Sequence, residues 1–258
     1  MKFITAIIAN IRALLGSIAQ PAAPVATVTA PHIRMLLLHL CDQDEAKAAW
    51  LARWLAYPLR NRGAKMRTAI LTTNKDGAGH LLFEKVIGPM YGNQAQLGGV
   101  LPRRTFNVNG WIIGKRYAVL SDLSNADLYT PRVKNLITSS NIVVHRHGLP
   151  DIAISNSLNM VFMTGAREAL SPDNCDRRFF VLNPKQALPV ALAAAVVHEI
   201  ENGGLIEFNH FLMHELDMGN FDACSSTSYA TAPGRPAAAL QILSSKPDNG
   251  MLATTETA

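Results

Sequence analysis

One stretch constrains the fold of this chain more than any other. The β-prone run Met66-Arg-Thr-Ala-Ile-Leu-Thr-Thr passes through Asn74-Lys-Asp-Gly-Ala-Gly-His-Leu into a helical pattern carried by Leu82, Phe83, Val86 and Ile87. Strand, glycine loop and helix in that order form the arrangement that cradles phosphate, because small residues expose backbone amides and the helix dipole favours an anion. The full phosphate-loop pattern also needs Gly, four residues, Gly, Lys, then Ser or Thr. Aligned on Gly79, the corresponding residues are Asn74, Gly79, His80 and Leu81. The amides around Gly77, Ala78 and Gly79 can therefore hold a phosphate, while the lysine clamp and the magnesium-binding hydroxyl are missing. An ordinary glycine turn remains the plain alternative.

The rest of the chain reads as an α/β protein. Further β-prone runs are Arg116-Tyr-Ala-Val-Leu-Ser, ending at Asp122, Asn159-Met-Val-Phe-Met-Thr, ending at Gly165, and Phe179-Phe-Val-Leu. Residues 131–138 read as a helix, and residues 141–154 as two extended runs around His147-Gly-Leu-Pro, a hairpin signal. A core of three or four strands follows. Residues 32–57 have helical spacing, with Ala48, Leu51, Ala52 and Leu55 on one side and Pro58 expected to stop the helix. Helices over 190–202 and 205–214 form a lid. The expected division is an apolar N-terminal segment and linker (1–31), a helical segment (32–65), the α/β core (66–189), the lid (190–224) and a flexible, Ser/Thr/Ala/Pro-rich tail (225–258).

Charge and composition exclude some classes and leave others. Hydrophobic residues make up 48% of the 258 residues and charged residues 17%, which excludes a disordered or collagen-like chain. Cys41, Cys175 and Cys224 are odd in number and widely spaced, so neither a disulfide framework nor a Cys-x-x-Cys metal knuckle is expected, and a reducing compartment fits. The net charge of +5 is unevenly spread: ten Lys or Arg fall between Arg60 and Arg116, and none between Gln186 and Gly234. A basic segment concentrates polyanions such as nucleic acid, or is simply a solvated face. No acidic residue precedes Asp42, and Ile4, Ile7, Ile8, Ile11, Leu14, Leu15 and Ile18 have helical spacing. That segment is open to three readings: a helix docking on this domain or a partner, a membrane-surface helix, or an export signal.

Several weaker constellations have structural explanations. His210 and His214 at i, i+4 with Glu207 one turn away lack an open metal-site motif, so no metal is expected there. No Gly-x-Ser-x-Gly elbow supports a hydrolase. Trp50 and Trp54 are expected in the core.

The order of the segments resembles a known family. Trp54-Leu-Ala-Tyr-Pro-Leu, Gly77-Ala-Gly-His-Leu-Leu-Phe-Glu-Lys-Val-Ile-Gly-Pro-Met-Tyr-Gly, Gly114-Lys-Arg-Tyr-Ala-Val-Leu-Ser-Asp, Asn159-Met-Val-Phe-Met-Thr, Asp176-Arg-Arg-Phe-Phe and Glu201-Asn-Gly-Gly-Leu together resemble the C-terminal helicase domain of phage and plasmid primase-helicases. That domain is a superfamily 3 motor of the AAA+ P-loop class. The resemblance covers roughly residues 48 to 245. It implies a P-loop NTPase-like core with a mainly parallel sheet, ATP and Mg²⁺ as ligands, single-stranded or forked DNA as partner, a ring oligomer with itself or with an active helicase subunit, and the cytoplasm of a bacterial host. The roughly fifty residues ahead of it are too few for a primase or polymerase domain, so none is expected.

Carried across residue by residue, the resemblance implies losses. His80 stands where the family has the loop lysine, and Leu81 where it has Ser, Thr or Asn. Asp122 matches the metal-binding Asp, but Leu123 replaces the Glu that polarises the attacking water, and Gly165 replaces the sensor Asn. Gly77, Gly79 and Asp122 are retained, together with Arg177 and Arg178, one of which resembles the finger that reaches a neighbouring subunit's γ-phosphate. A structural pair with Asp173 or Asp176 is the alternative for these arginines. The hairpin would place His145, Arg146 and His147 against DNA. The resulting expectation is a helicase-like protein with a defective ATP site that binds nucleotide weakly or not at all. Two alternatives stay open: an assembly protein reusing the fold, or a working ATPase in which Lys75 replaces the missing lysine.

Overall fold

The computed structural model describes residues 29–73, 76–98, 109–165 and 176–225. The N-terminal apolar segment, Lys75, Asp173, Cys175 and the expected flexible tail lie outside them. At the centre is a parallel sheet of β1 (Ala69–Thr73), β2 (Ala95–Gln96), β3 (Tyr117–Leu120), a strand over Asn159–Thr164 and one over Phe179–Leu182. Between β3 and the Asn159 strand runs a separate hairpin, β4 (Asn141–Arg146) and β5 (Leu149–Ser155), so the last two sheet strands are β6 and β7. The spatial order is β2-β3-β6-β1-β7. The sheet thus has five strands where the sequence suggests three or four. The extra one, β2, is two residues long and too short to show a period.

Both faces of the sheet are covered, which is why β1, β3 and β6 are buried along their whole length rather than alternately. Ile70, Val119, Val161, Met163 and Phe180 face one core, built with α1 (Pro31–Leu40), α2 (Glu45–Arg60), α3 and the lid. Helix α3 is a π-wound segment, His80–Ile87, continuing through Gly88–Tyr91. Leu71, Ala118, Leu120, Phe162 and Phe179 face the other core with α4 (Pro131–Thr138) and the hairpin. Trp50 stacks on Phe180 at 4.2 Å, and the buried Trp54 donates its indole N–H to Thr68 Oγ1 at 3.0 Å. Both tryptophans are core residues, as expected.

Two helices replace the single one expected over 32–57. Asp42 and Gln43 adopt left-handed φ of 57° and 62°, and Asp44 then caps α2 by accepting from the Lys47 amide at 3.0 Å. Pro58 does not stop α2, which continues to Arg60. In the last turn proline forfeits one hydrogen bond and keeps a helical φ. The end is held instead by Arg60, whose guanidinium donates to the Leu212 and Leu216 carbonyls.

The lid comprises α5 (Val190–Glu199), a π-wound turn Ile200–Gly204, α6 (Leu205–His210) and a second π-wound turn Phe211–Glu215. Its carboxylates cap α1. Glu199 accepts from the His32 amide at 3.2 Å and the Ile33 amide at 2.7 Å, and Glu207 accepts from the Ala30 amide at 3.2 Å. Ala30, the residue before α1, has no side chain to do so. Arg34, 2% exposed, lies 3.8 Å over the Phe211 ring and 3.5 Å from Glu215. A Cβ at Gly204 would stand 2.7 Å from the Glu199 carbonyl oxygen, so glycine is what lets the lid turn close against α5.

Lys65 precedes β1 and turns its ammonium onto the Leu158 carbonyl. Desolvation lowers its pKa to about 7. The folded state then holds fewer protons than the unfolded chain between that value and the ordinary lysine range, so stability should rise with pH from about 7 to about 10. Urea unfolding should show a rise on the order of a few kcal/mol across that window, and Lys65→Met should flatten it. Equal pH slopes in the two proteins would contradict this.

Candidate functional site

The glycine loop leaves the carboxyl end of β1 and enters α3. Gly77 has φ of 76°, and Ala78 and Gly79 are buried. A Cβ on Gly79 would lie 3.1 Å from Thr72 Cγ2 and 3.2 Å from the Thr73 carbonyl, so the helix start packs directly on the strand. β6 and β3 are the next strands along the same edge. They deliver Gly165 just past Thr164, and Asp122 just past Leu120 and Ser121. Thr164 Oγ1 donates to the Leu123 carbonyl at 2.8 Å, tying the two turns together, and Asp122 sits exposed at a left-handed φ of 58°. The structure thus brings Gly77, Ala78, Gly79, His80 and Asp122 to one end of the sheet, where parallel α/β folds place their ligands.

The polar side chains at that end include Asp76, His80 and Asp122. Asp76 turns back and accepts from the Ala78 amide at 3.2 Å, and its other oxygen lies 4.0 Å from His39 Nε2 of α1. A carboxylate thus occupies that amide and adds negative charge beside it. His80 Nδ1 is 3.3 Å from Glu84 Oε1, one turn along α3. Leu123 is buried at 4% exposure, with no carboxylate to offer. Thr72 Oγ1 and Ser121 Oγ are buried and have no hydrogen-bond partner. Asp76 was missed by sequence reasoning. An Asx turn two residues long, Asp followed by Gly-Ala, was its only local signal.

Arg177 and Arg178 stand at the other end. They precede β7, and the Arg178 carbonyl accepts from the Ala69 amide at the start of β1. The five residues of β1 separate them from the Gly77 loop by roughly 16 Å along the strand. Arg178 pairs with Asp176, which also lies 3.3 Å from Lys134. Burial raises the Asp176 pKa, but the Arg178 amide, Lys134 and the Arg178 charge outweigh it and hold the carboxyl below its ordinary value. Arg177 is exposed.

The hairpin carries the third group. His145 Nδ1 lies 2.8 Å from Asp151 Oδ2, Arg146 Nη2 donates to the Pro150 carbonyl at 2.7 Å, and His147 is exposed at the tip beside Gly148, whose φ is 68°. Asn109 anchors the hairpin, accepting from the His145 amide at 2.6 Å and donating to the Val143 carbonyl at 3.0 Å. Elsewhere, His210 pairs with Glu215 at 3.0 Å. No helix among the described residues is long and apolar enough to cross a membrane.

No family model and no curated protein matches this chain. Among solved structures it is similar to "The A form apo structure of NrS-1 C terminal region-CTR(305-718)", with a TM-score of 0.61 and 18% identity over 77% of this chain and 48% of that one. A second A form apo structure of that region gives a TM-score of 0.60 at 19% identity, over the same shares of the two chains. The likeness is one of fold. A JCV helicase crystal structure gives a TM-score of 0.41 at 12% identity over 73% of this chain and 54% of that one, below the level that establishes a shared fold. The chain spans about half the length of the NrS-1 structures it matches.

Proposed function

We propose that this chain is a helicase-like protein of phage or plasmid DNA replication, related to superfamily 3 motors, whose ATP site no longer works. The supporting observation is the junction of β1 and α3. Gly77, Ala78 and Gly79 supply the small residues of a phosphate loop there, while Asp76 fills the Ala78 amide and His80 and Leu81 follow where the lysine and hydroxyl would stand. Phosphoryl transfer depends on positioning and charge neutralisation. Removing the ammonium, the metal-binding hydroxyl and the water-polarising carboxylate leaves Asp122 alone, and Asp122 cannot do their work. An arginine finger, worth on the order of 10³ in rate when the rest of a site is intact, does not substitute for them.

DNA contact is the surviving activity in this account. Arg146 offers a phosphate contact, and His145 and His147 can stack or hydrogen-bond on a single strand. Arg177 and Arg178 stand at the opposite end of the sheet from their own loop, as groups serving a neighbouring subunit in a ring would. Anisotropy of a labelled single-stranded oligonucleotide tests the hairpin. Arg146→Ala/His147→Ala should weaken binding by about tenfold, the loss of one phosphate contact and one stacking group. Unchanged affinity would remove the hairpin from the account.

A further inference from the structure

At the amino-terminal edge of the sheet, opposite the glycine loop, lies a cleft of about 490 Å³. Three arginines, Arg67, Arg177 and Arg178, and the residues Thr68, Thr138 and Ser225 line it. Its walls come from four separate segments, three of them joined by backbone bonds. The Arg67 amide donates to the Ala223 carbonyl at 2.9 Å, and the Ala69 amide to the Arg178 carbonyl at 2.7 Å. The 222–225 wall is a closed turn: Asp222 Oδ1 accepts from the Cys224 amide at 2.7 Å, and Ser225 Oγ from the Asp222 amide at 2.8 Å.

Among the described residues the charge of the cleft is unbalanced. Asp176 is shared between Arg178 and Lys134, and Asp222 is occupied with its own turn. Arg67 and Arg177 are exposed and have no acidic partner among the described residues. Two guanidiniums lining one space of this size offer the fork donors that suit a phosphoryl group, and the volume falls in the range of small-ligand sites.

We propose that this cleft binds a phosphate-ester oxyanion through Arg67 and Arg177, with Arg178 fixed beside them by Asp176. A free nucleotide and a nucleic-acid backbone share that chemistry. The site lies on the edge of the sheet opposite the Gly77 loop and is independent of whether that loop hydrolyses ATP.

Cys224, an exposed free thiol in the cleft wall, gives a local readout. Its alkylation by iodoacetamide, followed by peptide mass spectrometry at constant ionic strength, is measured against inorganic pyrophosphate, ATP and a single-stranded oligonucleotide. Pyrophosphate should protect Cys224 in the wild-type chain. Arg67→Gln/Arg177→Gln should shift the protection midpoint upward by about tenfold or more, the loss of two charge-assisted contacts. The hairpin variant should leave that midpoint unchanged, so failure of the DNA-binding hairpin and failure of this site are distinguishable. Stronger protection by ATP or by the oligonucleotide identifies the source. Alkylation unaffected by all three probes, or protection that persists in the double variant, would overturn the proposal.

Discussion

Glu199→Ala should cost about 2–4 kcal/mol of stability, read as a lowered urea midpoint, because two amides at the start of α1 lose a charged acceptor at once. The carboxylate side chain is 10% exposed, so water does not readily replace it. Glu199 also lies beside His32 Nδ1 at 3.2 Å, and no side chain at Ala30 stands in reserve. The loss should propagate, since Glu199, Glu207 and Glu215 together fasten the lid to residues 29–34. Glu199→Gln, which keeps a neutral acceptor, should lose about half as much. A variant with the wild-type midpoint would mean that α1 is held by its apolar face alone.

Gly79→Val is the second large effect. The Cβ position is already 3.1 Å from Thr72 Cγ2 and 3.2 Å from the Thr73 carbonyl, with Met163 Cε at 3.7 Å. The carbonyl belongs to a central strand and cannot move aside, so two further methyl groups must push α3 off β1. Overpacking of this kind costs about 1–3 kcal/mol, and β-branching adds rotamer strain at a helix start. Gly79→Ala should cost less, because Thr72 can yield by a few tenths of an ångström. Thermal unfolding of the two variants checks the order, and Val equal to or better than Ala would contradict the close packing described.

Much of this fold is legible in local sequence because parallel strands buried on both faces read as apolar runs. Residues 117–120, 159–164 and 179–182 announce themselves that way. The hairpin is marked by its Gly148 turn, and the helix at Pro131 by its Thr130 cap and leading proline. What local pattern does not carry is long-range pairing. The capping of α1 by Glu199 joins residues more than 160 positions apart, β2 is too short for a period, and strand order depends on crossovers rather than on any one segment. The break at Asp42 and Gln43 needs two successive left-handed residues that are not glycine, and only the Asp favours that region. At the candidate site the proposed losses rest on residues read directly, His80, Leu81 and Leu123. The Asp76 carboxylate on the Ala78 amide could not be read that way, because it depends on how the loop folds back.

The central claim is that this chain keeps a motor's scaffold without the groups that split its fuel. Phosphate release from ATP, with Mg²⁺ and single-stranded DNA present, tests it most directly. The account predicts release by the wild-type chain no faster than by Asp122→Ala. Turnover at or above about 1 s⁻¹, within the ordinary range for enzymes, that disappears in Asp122→Ala would contradict it.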